Sequence, residues 1–252
     1  MSCQEESDGT EFTDDNDPDG IEEYSLYKSS LLEINRFFVD KKYLNYFDQI
    51  IEEHKKTYNI GDHLFRARIH EYKQERPFPS SGMGIPPKDA VKIGRANPLG
   101  ILDLYLAETS STAIAEVRPN VNYNVSVADF EVIEAINVVN LEKVTSAKYL
   151  EKYGTPTLTL STFMFCLSYG FAKPVINNES DYLPYQYFAE YCKSKNLDGI
   201  RYVSSAKGFR NDSAEANYNV VLFDDKKVKC KDSNVKTYRI DGINYKTEPV
   251  SN

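Results

Sequence analysis

The sequence predicts an α+β fold: a mixed β core with flanking helices and an N-terminal helical extension. Short apolar segments with strand-like alternation recur from residue 63 onward. Helical segments fall between them without the regular alternation of a doubly wound sheet. A stretch of helical periodicity precedes the first strand. At 252 residues the chain has the length of one ordinary domain.

The first 23 residues hold ten acids and no Lys or Arg. Without those ten, 28 acids face 30 bases, so the net charge of −8 belongs to the tail. A segment this charged and this poor in large apolar residues cannot offset its ordering entropy, and residues 1–23 are expected to be disordered. Residues 24–60 read as the helical extension. Tyr27, Leu31, Ile34 and Phe38 form one apolar stripe, and Tyr43, Phe47, Ile50 and Ile51 a second. The spacings of three and four suit an amphipathic pair, with a break at Asp40 to Lys42.

Residues 61–245 read as the main domain and 246–252 as a C-terminal tail. His63 to Ile69 reads as a strand. Pro77 to Gly100 then holds five of the eleven prolines and four of the twelve glycines, a long irregular loop of the kind that carries function. Leu102 to Ala107 reads as a strand, and Ser110 and Ser111 as caps of a short helix ending at Val117. Val125 to Ile133, Ala135 to Val139, Gly199 to Val203 and Tyr218 to Phe223 read as strands. Leu160 to Tyr169 and Tyr185 to Lys195 read as helices. Asp232 to Tyr245 reads as a terminal hairpin around Asp241-Gly242.

Several function classes lose support. No stretch approaches the roughly 18 apolar residues of a membrane span, and no basic-plus-apolar leader opens the chain. Cys3, Cys166, Cys192 and Cys230 form no paired framework and read as free thiols of a cytoplasmic protein. Gly82-Met83-Gly84 has Pro87 in place of a third glycine and follows no strand, so it is no dinucleotide fingerprint. His63 and His70 are seven apart on a strand and face opposite ways, so no metal site is expected. The near-neutral body lacks the basic stripe of a nucleic-acid binder.

What remains is a set of polar residues embedded in apolar strands or at their ends: Arg66 and Arg68 (FRARI), Arg95 and Asn97 (GRANPLG), Tyr105 (LYLAE), Glu116 (TAIAEVRP) and Ser204 (DGIRYVSSA). Their order and setting resemble the RES family, whose members carry a Gly-Arg-x-Asn loop, an apolar strand ending in Tyr and a short helix ending in Glu. A glycine-led strand ending in Ser and an Asn-bearing apolar strand follow later. Here these are Gly94 to Asn97, Leu104-Tyr105, Ala115-Glu116, Gly199 to Ser204 and Asn219 to Phe223. The resemblance spans about Leu64 to Asp224. The family loop usually has an aromatic where Ala96 stands and often a Pro where Val203 stands, which leaves Ser205 beside Ser204 as an alternative.

The resemblance implies a fold similar to ADP-ribosyltransferase toxins and consumption of NAD, often as the toxin of a toxin–antitoxin pair. NAD would be a substrate, with inorganic phosphate as a co-substrate if the reaction is phosphorolysis, and no cofactor would be required. The residues suit such chemistry. Nicotinamide leaves as a neutral molecule and needs no acid, so a single carboxylate, Glu116, serves the oxocarbenium-like transition state. Arg66, Arg95 and, with less weight, Arg68 suit the pyrophosphate. Tyr105 offers a ring to nicotinamide or ribose and a hydroxyl to orient it, Ser204 a hydrogen bond to the amide or to Glu116, and Asn219 a further polar contact, while Asn97, also a candidate to bind NAD, more often just shapes its turn. With Arg201 the arginines offer more guanidiniums than one pyrophosphate requires, so one of the four could hold an attacking phosphate. Transfer of ADP-ribose to a macromolecule and a non-catalytic nucleotide-binding module are the alternative readings.

Overall fold

The computed structural model describes residues 18–70, 74, 76–87, 92–141, 158–172, 179–206 and 217–243, and its fold is α+β. The expected C-terminal tail, Cys3 and most of the acidic tail lie outside those residues. Nine strands form one sheet: β1 (Lys55–Tyr58), β2 (His63–Ile69), β3 (Leu104–Ala107), β4 (Asn124–Val132), β5 (Ile136–Leu141), β6 (Gly199–Val203), β7 (Tyr218–Leu222), β8 (Val228–Lys229) and β9 (Val235–Arg239). Their order is β1-β5-β6-β7-β3-β2-β4-β8, with β9 also on β4. Only β5 and β6 run parallel among these pairs. Helices α4 (Leu158–Ala172) and α5 (Leu183–Ser194) lie between them in the chain, as a parallel connection requires.

The sheet is in effect two halves. β2 pairs along its whole length with β4, from His63↔Glu131 to Ile69↔Val125, but meets β3 at the single pair Phe65↔Ala107. On one face, Val139, Leu141, Ile200, Tyr202 and Val221 pack beneath α4 and α5. On the same face of the other half, Ala67, Val125 and Val127 pack beneath the short helix α3 (Ser110–Glu116) through Ala113 and Ile114. The opposite face buries Leu64, Leu104, Leu106, Phe130 and Val220, covered in part by Phe78, Met83 and Ile85 of the Pro-rich loop.

The N-terminal helices begin at α1 (Pro18–Ser29), so the last six residues of the expected disordered tail are helical, and Glu23 pairs with Lys42 at 2.9 Å. A wider π turn follows over Ser30–Ile34. Tyr27 and Leu31 are buried, but Ile34 and Phe38 are 82% and 83% exposed, so the first expected stripe ends at Leu31. The π turn changes the helical repeat at Ile34 and the helix ends there, so Phe38 lies in the non-helical stretch before α2. α2 (Lys41–Glu53) buries Tyr43, Phe47, Ile50 and Ile51 as expected, and Asp40 caps it by accepting from the Lys42 N–H. Tyr24, Tyr27, Tyr43 and Phe47 close around Phe163 of α4. Aromatic pairs at these separations contribute beyond their area.

Two further expectations change. Lys55–Tyr58, read as helix, is an edge strand on β5. Its polar sequence, KKTY, gives no apolar alternation to detect. The first arm of the expected terminal hairpin pairs elsewhere: it is β9, laid on the N-terminal half of β4 from Asn124↔Arg239 to Ala128↔Val235. That pairing joins β9 to a strand distant in sequence. Tyr245 lies outside the described residues.

Candidate functional site

The Glu116 cluster is assembled where the two halves of the sheet part. Thr109 caps α3 by accepting from the Thr112 N–H at 3.1 Å, and Ser110 and Ser111 sit inside the helix rather than before it. The Thr109 side chain supplies the acceptor that an N-terminal turn needs. The helix runs over β2 and ends at Glu116. There the Ser204 hydroxyl donates to Glu116 Oε1 at 2.5 Å, and Asn219 Nδ2 donates to the same oxygen at 2.7 Å. Ser204 is fully buried at the end of β6, with its N–H on Asn217 O at 2.7 Å. Of the two serines, Ser204 is the one hydrogen-bonded to Glu116. One carboxylate oxygen is therefore held by two donors, which fixes the orientation of the other. The Oδ1 of Asn219 is buried without a hydrogen-bond partner, an acceptor left for a donor that the described protein does not supply.

Tyr202 belongs to this group and was not singled out from sequence. It lies two residues before Ser204 on β6, hence on the same face. Burial pushes its hydroxyl up to about 12, while the nearby Arg95 charge opposes that and Glu116 adds to it. The Arg95 guanidinium carbon stands 5.9 Å from the centre of the Tyr202 ring. The sequence signal was present in GIRYVS, since alternation along β6 places Tyr202 with Ser204.

Arg95 is carried by the Gly94 to Asn97 turn, and the turn is tied down from three sides. Gly94 N–H donates to Asn97 O at 3.0 Å. Asn97 Nδ2 reaches Lys92 O at 3.0 Å and Ile101 O at 3.2 Å. Gln186 of α5 donates to Gly94 O at 2.8 Å and to Asn97 O at 3.1 Å. The Tyr105 hydroxyl donates to Asn97 Oδ1 at 2.7 Å and accepts from the Ala96 N–H at 3.2 Å. A Cβ on Gly94 would overlap both Asn97 Oδ1 and the Tyr105 hydroxyl. Ala96 is fully buried in the helical-side core. Tyr105 and Asn97 thus act on the turn, and Gln186 is a further support that sequence reading missed.

The other arginines do not join Glu116. Phe65 and Ala67 pack beneath α3, so alternation turns Arg66 and Arg68 to the opposite face of β2. There Arg66 Nη1 donates to Gly84 O at 2.7 Å and Arg68 Nη2 to the same oxygen at 3.4 Å, holding the Pro-rich loop. Burial, with Arg68 adjacent, lowers Arg66 to about 10. Arg201 is engaged by Glu108 through Nε at 2.6 Å and Nη2 at 2.8 Å, and by Asn140 at 2.7 Å. The expected surplus of guanidiniums beside the carboxylate reduces, among the described residues, to Arg95.

His63 pairs with Asp129 at 2.6 Å, and His70 bonds Gln74 O and Ser126 Oγ, so the two histidines have separate settings. No cluster of three or more potential metal ligands is found among the described residues. No described helix is long and apolar enough to cross a membrane.

The family model of the RES domain matches residues 63–241, from β2 through β9. No curated protein matches the chain. A solved structure, the M. tuberculosis MbcT–MbcA toxin–antitoxin complex, is similar with a TM-score of 0.40 and 12% identity, covering 77% of this chain and 92% of that chain.

Proposed function

The chain belongs to the RES domain family, and we propose that it is an enzyme that breaks NAD at the bond between nicotinamide and ribose. The observation that carries this reading is the setting of Glu116: one oxygen pinned by Ser204 and Asn219, with Arg95 and Tyr202 alongside. A fixed carboxylate stabilises positive charge as the glycosidic bond opens, and it does so without reorganising at the moment of reaction. Nicotinamide leaves neutral, so no second carboxylate is needed to protonate it. Arg95 supplies the guanidinium for the pyrophosphate. The unpartnered Oδ1 of Asn219 and the second oxygen of Glu116 are suited to accept from the ribose hydroxyls.

Water or inorganic phosphate then captures the ribosyl cation. Phosphate arrives ionised and needs a cationic seat rather than a base. The engaged state of Arg201 and the opposite-face position of Arg66 and Arg68 leave Arg95 to serve either phosphate group. The reading extends to a toxin that depletes NAD in the cytoplasm and is restrained by an antitoxin protein, as the family resemblance implies. The test is nicotinamide release from NAD by the purified chain, with product mass in phosphate-free and phosphate-containing buffer. ADP-ribose in both buffers assigns hydrolysis, and its 1″-phosphate in the second assigns phosphorolysis. ADP-ribose attached to protein or nucleic acid assigns transfer. No nicotinamide under any condition refutes the proposal.

A further inference from the structure

Behind the sheet from Glu116, a second buried polar cluster gathers at the same strand ends. Arg201 stands on β6 between Ile200 and Tyr202, so it faces away from Tyr202 and Ser204. Its fork closes on both oxygens of Glu108 at 2.6 and 2.8 Å, and Nη1 donates to Asn140 of β5 at 2.7 Å. The Tyr58 hydroxyl of β1 donates to Glu108 Oε1 at 2.6 Å. The guanidinium lies 3.3 Å above the ring of Tyr218, on β7, which separates β6 from β3 in the sheet. Arg201 therefore staples β6 to the end of β3 across the intervening strand.

Each stapled element carries a member of the Glu116 cluster on the other face. On β6, Arg201 is followed by Tyr202 and Ser204. On β7, Tyr218 is followed by Asn219. Glu108 is followed by Thr109, the cap of α3, whose far end is Glu116. We infer that Glu108, Arg201 and Tyr58 form a positioning unit that fixes Glu116 relative to its donors Ser204 and Asn219. A bidentate guanidinium–carboxylate pair adds geometric specificity. Buried ion pairs contribute little net stability against apolar replacements, yet losing one partner is costly, so such a pair holds one arrangement. Burial would raise the Glu108 carboxyl, but Arg201 and the Tyr58 hydroxyl outweigh it and hold it below the usual range. At seven residues, α3 is short enough for a shift at its cap to reach Glu116.

The inference rests on the reading of Glu116 as the reacting carboxylate, and its test separates the two. Glu108→Gln and Tyr58→Phe are compared with the unaltered full chain, well below the melting temperature. Two readouts are used: kcat and KM for nicotinamide release, and the NMR resonances of the Asn219 side-chain amide. Glu108→Gln is expected to lower kcat by about 10- to 100-fold, because misplacement of a reacting group by about 1 Å costs on the order of 100-fold. KM should change less than about threefold, and the Asn219 amide should shift. Tyr58→Phe, which leaves the charge pair intact, should act in the same direction by a smaller factor. A lower melting temperature with unchanged kcat and an unchanged Asn219 amide would show a purely structural pair and overturn the inference. If the unaltered chain releases no nicotinamide, the proposed function fails, and the amide alone decides: a shift supports the positioning unit and no shift refutes it. If Glu108→Gln does not fold, Tyr58→Phe decides by the same readouts.

Discussion

Ser204 Oγ and Glu116 Oε1 meet at 2.5 Å although 88 residues separate them in the chain. The contact joins the end of β6 to the end of α3, across the place where the sheet divides. With Asn219 donating to the same oxygen, it gives Glu116 one fixed orientation. Ser204→Ala removes the shorter of the two bonds. It should lower kcat for nicotinamide release by about 10- to 100-fold, with little change in KM, since the bond acts on the transition state through Glu116. Steady-state kinetics check this, and a rise in KM at unchanged kcat would place Ser204 on the substrate instead.

Arg95→Lys should weaken NAD binding by about tenfold or more, because an ammonium cannot reproduce the planar fork on a pyrophosphate. Isothermal titration with an uncleavable NAD analogue reads the affinity. Unchanged affinity would remove Arg95 from the phosphate role.

Tyr105→Phe leaves Asn97 Oδ1 and the Ala96 N–H without their shared partner. The expected cost is about 1–3 kcal/mol, the penalty for a buried polar group left unpaired. It should appear as a lower midpoint in urea unfolding and as weaker NAD binding through the loosened Arg95 turn. A ring that only stacks on the ligand would change affinity alone and leave stability where it was.

Asp103 is 4% exposed, with Lys193 at 3.3 Å. Burial raises its carboxyl to about 6, against the opposing pull of Lys193. A carboxyl whose folded value lies above its unfolded value of 3.8 binds more protons in the native state between those values. Its contribution to stability is therefore present below about pH 4 and is lost as pH rises to about 6. The total change is on the order of 2–3 kcal/mol. Asp103→Asn should flatten that part of the stability profile in urea titrations from pH 4 to 7, and an unaltered slope would reject the assignment.

The sequence made the strands and the main chemistry legible where periodicity and chemical type coincide. β6 matches its expected bounds, and Ser204 and Asn219, named like Glu116 from the family order, both lie within hydrogen-bond distance of its carboxylate. The alternation of FRARI puts Arg66 and Arg68 on one face of β2, but which face that is depends on α3 covering Phe65 and Ala67, a tertiary fact. Arg201 read as a free cation because Glu108, 93 residues away, has no local signature as its partner. Tyr202 and Gln186 were passed over because a buried Tyr in a strand and a buried Gln on a helix look like ordinary core. Ile34 leaves its stripe because a π turn changes the repeat, and Phe38 because the helix ends before it, and helical periodicity alone registers neither.

Whether Glu116 is the reacting carboxylate is decided by incubating NAD with the purified chain and with Glu116→Gln and measuring free nicotinamide over time. The substitution removes a charge and changes volume little, so folding and nucleotide binding should survive. A reacting Glu116 requires steady release by the unaltered chain and a loss of at least about 100-fold in the variant, in line with the removal of a preorganised electrostatic stabiliser. Release by Glu116→Gln at the rate of the unaltered chain would contradict it.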